Sequence, residues 1–458
     1  GVSVHTVEGG VLISGGFMRN DADTTGVMWI PDFVACSHDQ HNTATGGVTL
    51  APPHTDKTTA WLAFYSVTVV SGECVHVSLL WAALGYAQSD RLPLVRPLQL
   101  RAVTPSSFGA TLCASFDSSG ASVVVWKTSP SIADIPPQSP AVLSANTTGS
   151  MVDAPADVLT ASGLVSVVAA INTRTGALDW TQWVYATGGE ARCSSIAATH
   201  ARAVVVGTAS STAATPSISV SGHTAEFTLE LADRGDEGLP LTKWVAELDL
   251  SSGAPQFLRG IESQTQLAPS SHDMASVVLV DEHDDMVYVI GSSRALQHTV
   301  RGPTAAGLLV SASGSTSRSA VGSWDVWGAE LRLSATRGPG AVYQKPVQRA
   351  VAVTLGGATG EVEGFISGVS GGATTLIAVG GFKGELVLDN LHTLTAAGDS
   401  GNPDHGYDAV AVVYKASSDA ASPVVVRTLR IKSFSQPWQD ERFTAACASP
   451  LGDLHFLV

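Results

Sequence analysis

Apolar residues recur at alternate positions in short runs along this chain. Each run is closed by a polar turn that ends in Gly and is followed by a second alternating run. The clearest copies are Met274–Gly291 (MASVVLVDEHDDMVYVIG), Cys193–Gly207 (CSSIAATHARAVVVG) and Phe443–Val458 (FTAACASPLGDLHFLV), with fainter ones at 5–17, 47–65, 109–126 and 364–382. Alternation at period two, with Val, Ile, Leu and Trp on one set of positions, is the signature of half-buried strands, so each copy predicts a β-hairpin. No long stretch carries a helical period. Hairpins recurring at a period of roughly 45 to 90 residues predict an all-β chain, a β-propeller of about seven four-stranded blades.

Grouping the strands in order, Leu164–Gly207 supplies LVSVVAAIN, ALDWTQWVYA, CSSIAA and AVVVG, and the same sequence of four recurs over Leu241–Gly291 and Tyr407–Val458. Insertions at 209–240, 293–323 and 383–405 carry short alternating runs such as EFTLELAD and ELVLDNLHTL, which predict extra hairpins at the rim. Insertions in repeat proteins gather on one face and often bind partners. The stretch 127–162, with Pro136, Pro137, Pro140 and Pro155, reads as an irregular loop.

Composition fits one large closed body. With 44% hydrophobic and 14% charged residues the chain can bury a sizeable core, and 1–458 is expected to form a single propeller domain. The hairpin phrase is cut at both ends, so the expectation is a segment of a polypeptide that continues beyond Val458. A net charge of −15 repels phosphate backbones and anionic lipid, which argues against nucleic acid as a partner. No run of about 18 apolar residues predicts a transmembrane segment.

The run GGFKGELVLDNLHTLTAAGD (380–399), followed by YDAVAVVYK, resembles the SBBP-type repeat, a seven-bladed β-propeller family. WVAELDLSSGAPQF (244–257) and HDMASVVLVDEHDDMVYVIG (272–291) fit the later part of that pattern, with Asp273, Ala275 and Gly291 on its usual Asp, Ala and Gly. The resemblance implies a fold and a secreted or surface setting, and it carries over no functional residue. AINTRTGALDW (170–180) is similar to the quinoprotein repeat, with Asn172 in place of Asp, and 246–257 is a truncated relative.

Chemistry is sparse in one dimension. The acidic turn Asp281–Asp285 lacks the alternating order of a calcium loop, and Cys36, His38, Asp39 and His41 are too close together for a zinc site without a second cluster. No nucleophile elbow, phosphate loop or metalloprotease motif is present in the sequence. Trp180, Trp183, Trp244, Trp324 and Trp327 suit sugar stacking or the gaps between blades, and their recurrence at strand positions favours core packing. Of five cysteines, Cys113 and Cys447 read as equivalent core positions (LCAS, ACAS), and Cys36 with Cys74 is the disulfide candidate. Asn146-Thr147-Thr148 is an N-glycosylation acceptor and points to an extracellular or cell-surface location. The expected function is a non-catalytic adhesion, interaction or assembly module without cofactor, metal or catalytic residues, its partners other protein chains, copies of itself or surface glycans. The alternative is a secreted glycoside hydrolase or lyase with its site in the central funnel.

Overall fold

The computed structural model describes residues 2–7, 9–17, 27–36, 43–51, 59–71, 74–88, 95–106, 109–118, 121, 123–129, 141–143, 150–159, 163–213, 217–221, 226–230, 242–264, 274–281, 286–293, 297–301, 308–311, 325–332, 364–372, 375–382, 385–387, 393–395, 408–415, 424–431, 445–448 and 454–457. Most of the described residues lie in strands. The only helix among the described residues is the single turn Ala156–Leu159. The chain is therefore all-β, with several antiparallel sheets, as the alternating pattern requires.

The strands form successive antiparallel meanders. In the first repeat Val2–Val7, Gly10–Phe17, Thr59–Ser71 and Cys74–Gln88 are neighbours in that order. In the second, Gln99–Ser106, Gly109–Asp117, Leu164–Ile171 and Leu178–Ala186 follow the same plan. Gly189–Ala198, Arg202–Ser211, Thr242–Asp249 and Pro255–Gln264 form the third. Met274–Asp281, Met286–Ser293 and Asp325–Arg332 belong to the fourth. Gly364–Gly372, Thr375–Phe382, Asp408–Lys415 and Val424–Ile431 make the fifth, and the hairpin Ala445–Ala448 with Leu454–Leu457 follows.

These meanders are phased differently from the sequence grouping. Leu164–Gly207 does not make one sheet: its first two strands complete the second repeat, and its last two open the third. The edge of Leu178–Ala186 explains this, because it is occupied by Ser217–Ser221, with Trp183 opposite Ser221 and Ala186 opposite Ile218. Thr187 confirms the exit by donating its N–H to the Ser217 carbonyl at 2.9 Å. The long insertions consequently fall inside a repeat, between its second and third strands.

Insertion strands follow one rule in three successive repeats: each pairs with the fourth strand of the preceding repeat. Val123–Thr128 pairs with Cys74–Gln88, Ser217–Ser221 with Leu178–Ala186, and Gln297–Arg301 with Pro255–Gln264. An exposed fourth strand would offer a row of unpaired N–H and C=O groups, and the inserted strand covers it. These three inserted strands thus extend sheets at their edges. Ile218 and Val220 are fully buried there.

Contacts cluster into two compact bodies, one of residues 1–203 with 217–228 and 247–257, the other of the remaining residues. Within the first, the sheets of the first and second repeats share a core of Leu12, Leu62, Phe64, Trp81, Leu112, Phe116, Trp126, Val167 and Trp183. Ala60, Ala83, Ala110 and Ala114 in the same cluster let large rings from the facing strands interdigitate. On the other face of the first sheet, Ile30, Val48, Leu50, Trp61, Tyr65, Leu79 and Leu84 form a second cluster beneath the inserted hairpin Met28–Cys36 and Thr43–Leu50.

Candidate functional site

The most organised polar chemistry of the first body lies where one repeat meets the next. In the second repeat the turn after Leu164–Ile171 is built on Asn172. Its N–H donates to Ala177 O at 2.9 Å, its carbonyl accepts the Gly176 N–H at 2.7 Å, and its Oδ1 accepts the Arg174 N–H at 2.9 Å. Gly176 closes the turn at φ 70°, a left-handed conformation that other residues adopt only with strain. Trp81, from the fourth strand of the first repeat, donates its indole N–H to Thr173 O at 2.7 Å and lies against Gly176. Gly176 O accepts two further bonds, from Trp126 Nε1 and Thr128 Oγ1, each at 2.9 Å.

The same dock recurs one repeat later. Asp249 N–H donates to Ala254 O at 2.8 Å, its carbonyl accepts the Gly253 N–H at 2.7 Å, and Gly253 has φ 73°. Trp180, from the fourth strand of the second repeat, donates to Leu250 O at 2.7 Å and covers Gly253. A Cβ on Gly253 would lie 2.7 Å from the indole carbons, so only Gly admits the ring. The fourth strand of a repeat is thereby held twice, by an inserted strand along its edge and by a turn under its Trp.

Asp249 anchors its turn through one oxygen, Oδ1, which accepts Ser251 N–H at 3.0 Å, Ser252 N–H at 3.0 Å, Ser251 Oγ at 2.6 Å and Ser252 Oγ at 3.0 Å. Burial alone pushes the Asp249 carboxyl up, but these bonds from Ser251 and Ser252 outweigh it and hold the carboxyl below its ordinary 3.8. A depressed carboxyl stabilises the fold above its unfolded value, and that stabilisation is lost as pH falls through the lower folded value. Asp249→Ala is expected to cost about 1 kcal/mol near neutral pH. Urea unfolding of wild type and variant at pH 7 and pH 2.5 checks it, the difference shrinking at the acid end.

A disulfide also joins the second repeat to the third. Cys113, on Gly109–Asp117, is bridged to Cys193, on Gly189–Ala198, with Cα atoms 6.3 Å apart. Both residues are buried. Beside the bridge Ser166 Oγ donates to Ala191 O at 2.9 Å and accepts the Cys193 N–H at 2.7 Å, while Ser115 Oγ lies 3.0 Å from Ser166 Oγ. This corrects two expectations. Cys113 is not a bare core thiol, and Cys447 is not its counterpart, because Cys113 lies on the second strand of a repeat whereas Cys447 lies on Ala445–Ala448, the first strand of a hairpin, as Cys193 does.

Among the described residues, a few titratable groups away from the docks lie close to a partner. His76 Nε2 lies 3.3 Å from Asp32 Oδ1, and Ser78 Oγ lies 3.2 Å from Nδ1 and 3.4 Å from Nε2 of the same ring. A nucleophilic triad needs the hydroxyl on one nitrogen's lone pair and the carboxylate on the other. Ser78, nearly equidistant from both nitrogens, sits against the ring edge and lacks that alignment. The nearby Tyr65 phenol is pushed above its ordinary range by burial and by the Asp32 charge. Arg202 and Glu247, 3.3 Å apart and mostly buried, form an ion pair close to the Thr199–Arg202 turn. Lys127 is buried, its ammonium 5.7 Å from the Tyr86 ring centre, and burial lowers its pKa.

Of the tryptophans singled out by the sequence, Trp183 and Trp244 are buried in the core, and the half-buried Trp180 is engaged in a dock. Trp327 pairs in register with Gly291, and Trp324 lies outside the described residues. Asn146, Glu282–Asp285, His38, Asp39 and His41 also lie outside them. Asp281 closes the strand Met274–Asp281 opposite Met286. No group of His, Cys, Asp and Glu able to hold a metal ion occurs among the described residues. No helix among them is long and apolar enough to cross a membrane. No protein-family model and no curated protein matches the chain.

Proposed function

We propose that the chain is a β-propeller of about seven four-stranded blades that serves as a non-catalytic, extracellular adhesion or assembly module. The observation that carries the fold reading is the repeated coupling of consecutive four-stranded meanders by an inserted strand and a Trp-capped turn. Blades of a propeller are sheets that bury their faces only against their neighbours, and a coupling of this kind fixes each against the next. The resemblance to SBBP-type repeats is in keeping with this. The Cys113–Cys193 bridge supports the location, because disulfides form and persist in oxidising compartments. For the role, the support is that the distinctive polar groups described in the first body join one repeat to the next.

Partners are taken to be other protein chains, copies of this one, or surface glycans. Sedimentation of the purified chain, together with binding to glycan arrays, tests the role. Self-association or saturable glycan binding without release of reducing ends is expected. Release of reducing ends from a polysaccharide panel would favour the hydrolase or lyase alternative and contradict this reading. Passage through a eukaryotic secretory pathway is expected to add an N-glycan at Asn146. A mass shift removed by peptide N-glycosidase and absent in Asn146→Gln checks it, and an unmodified secreted chain counts against an exposed acceptor.

A further inference from the structure

The backbone register aligns two further cysteines. Met28–Cys36, the first inserted strand, pairs antiparallel with Cys74–Gln88, with Phe33 opposite Val77, Val34 opposite His76, Ala35 opposite Val75 and Cys36 directly opposite Cys74. Directly opposed residues of an antiparallel pair have Cα atoms about 4.5–5.5 Å apart. A disulfide spans Cα separations of about 4.4–6.8 Å, so this register places the two residues within the separation a bridge needs. Cys113 is bridged to Cys193, which leaves Cys36 and Cys74 as each other's register partner and Cys447 opposite His455.

We infer that Cys36 and Cys74 form a second, cross-strand disulfide, which fastens the inserted hairpin of the first repeat to the fourth strand of that repeat. In forming it the two thiols lose two protons and two electrons, the S–S bond replacing both S–H bonds. A disulfide oxidant of the glutathione class takes up the electrons and is cleaved to two thiols. The bridge closes a loop holding the second inserted strand, Thr43–Leu50, and the third strand of the repeat, Thr59–Ser71. It also ties down the strand end beyond the Asp32–His76 pair. In the second, third and fourth repeats an inserted strand seals the edge of the preceding repeat; here it pairs with its own repeat, and the bridge makes that pairing covalent.

The five cysteines fall on five separate tryptic peptides, so linkage can be read directly. The full chain is oxidised in a glutathione redox buffer, blocked with iodoacetamide under denaturing conditions without reduction, digested and analysed by mass spectrometry. The expected result is a linked peptide pair carrying Cys36 and Cys74, a second pair carrying Cys113 and Cys193, and alkylation of Cys447 alone. In Cys447→Ser no thiol is expected to remain titratable. Alkylated Cys36 and Cys74, or either linked to Cys447, overturns the inference whether or not the Cys113–Cys193 pair is present. Loss of the Cys113–Cys193 link alone would instead contradict the oxidising-compartment reading.

Discussion

Trp81→Ala is expected to lower the unfolding free energy by about 3–5 kcal/mol, the range for removing a buried Trp from a core that cannot collapse onto the gap. The ring is almost fully buried, packs against Phe64 with centroids 5.8 Å apart, and belongs to the cluster shared by the first two repeats. Its loss also leaves Thr173 O without the 2.7 Å indole bond. Trp81→Phe keeps most of the apolar area and forfeits the N–H, so about 1–3 kcal/mol is expected. Gly176→Ala approaches the same contact from the turn side. Its Cβ would lie 2.7 Å from the Trp81 ring at a backbone φ of 70°. Urea unfolding curves of the three variants test the dock. The expected outcome is a larger loss for Trp81→Ala than for Trp81→Phe, with Gly176→Ala also destabilised. A Trp81→Ala variant within about 1 kcal/mol of wild type would mean that the ring is not at a closed interface.

Removing the Cys113–Cys193 bridge is expected to cost a similar amount. The cysteines are separated by 80 residues, for which constraint of the unfolded chain gives about 4–5 kcal/mol, within the broad range measured for native bridges. Both positions are buried beside the Ser115 and Ser166 hydroxyls, so the double variant Cys113→Ala, Cys193→Ala replaces sulfur by a small apolar group and leaves the Ser166 bonds to Ala191 O and from the residue-193 N–H intact. Urea unfolding of this variant without reductant is compared with wild type. A fall of several kcal/mol is expected, whereas unchanged unfolding would mean the bridge constrains nothing.

Alternation alone was enough to find the strands, because a half-buried strand must alternate whatever sheet it joins. Hairpins at 193–207 and 274–291 are legible for that reason. Phase is a different matter. The pair Thr187-Gly188 looks like a tight hairpin turn in sequence, yet Ser217–Ser221, about thirty residues on, takes the edge of Leu178–Ala186 and sends the next strand into another sheet. Such competition for an edge is a long-range fact that no local pattern records.

The docks were half visible. Asn172-x-x-x-Gly176 and Asp249-x-x-x-Gly253 share their spacing, but the indole that covers the first, Trp81, lies more than ninety residues upstream of Gly176 and carries no local mark. Cys113 and Cys193 were hidden in the same way, since connectivity among several cysteines does not follow from sequence. The equivalence of LCAS and ACAS misled because it matched letters between a second strand and a first strand.

A crystal structure of the chain tests the central claim most directly, namely that consecutive four-stranded sheets are coupled by an inserted strand and a Trp-capped turn into a propeller. The expected density has Leu178–Ala186 flanked by Leu164–Ile171 and Ser217–Ser221, the indole nitrogens of Trp81 and Trp180 bonded to the Thr173 and Leu250 carbonyls, and the repeats arranged around one axis. Density in which Leu178–Ala186 folds back onto Gly189–Ala198 as a hairpin, or in which the repeats form separate two-sheet sandwiches, would contradict it.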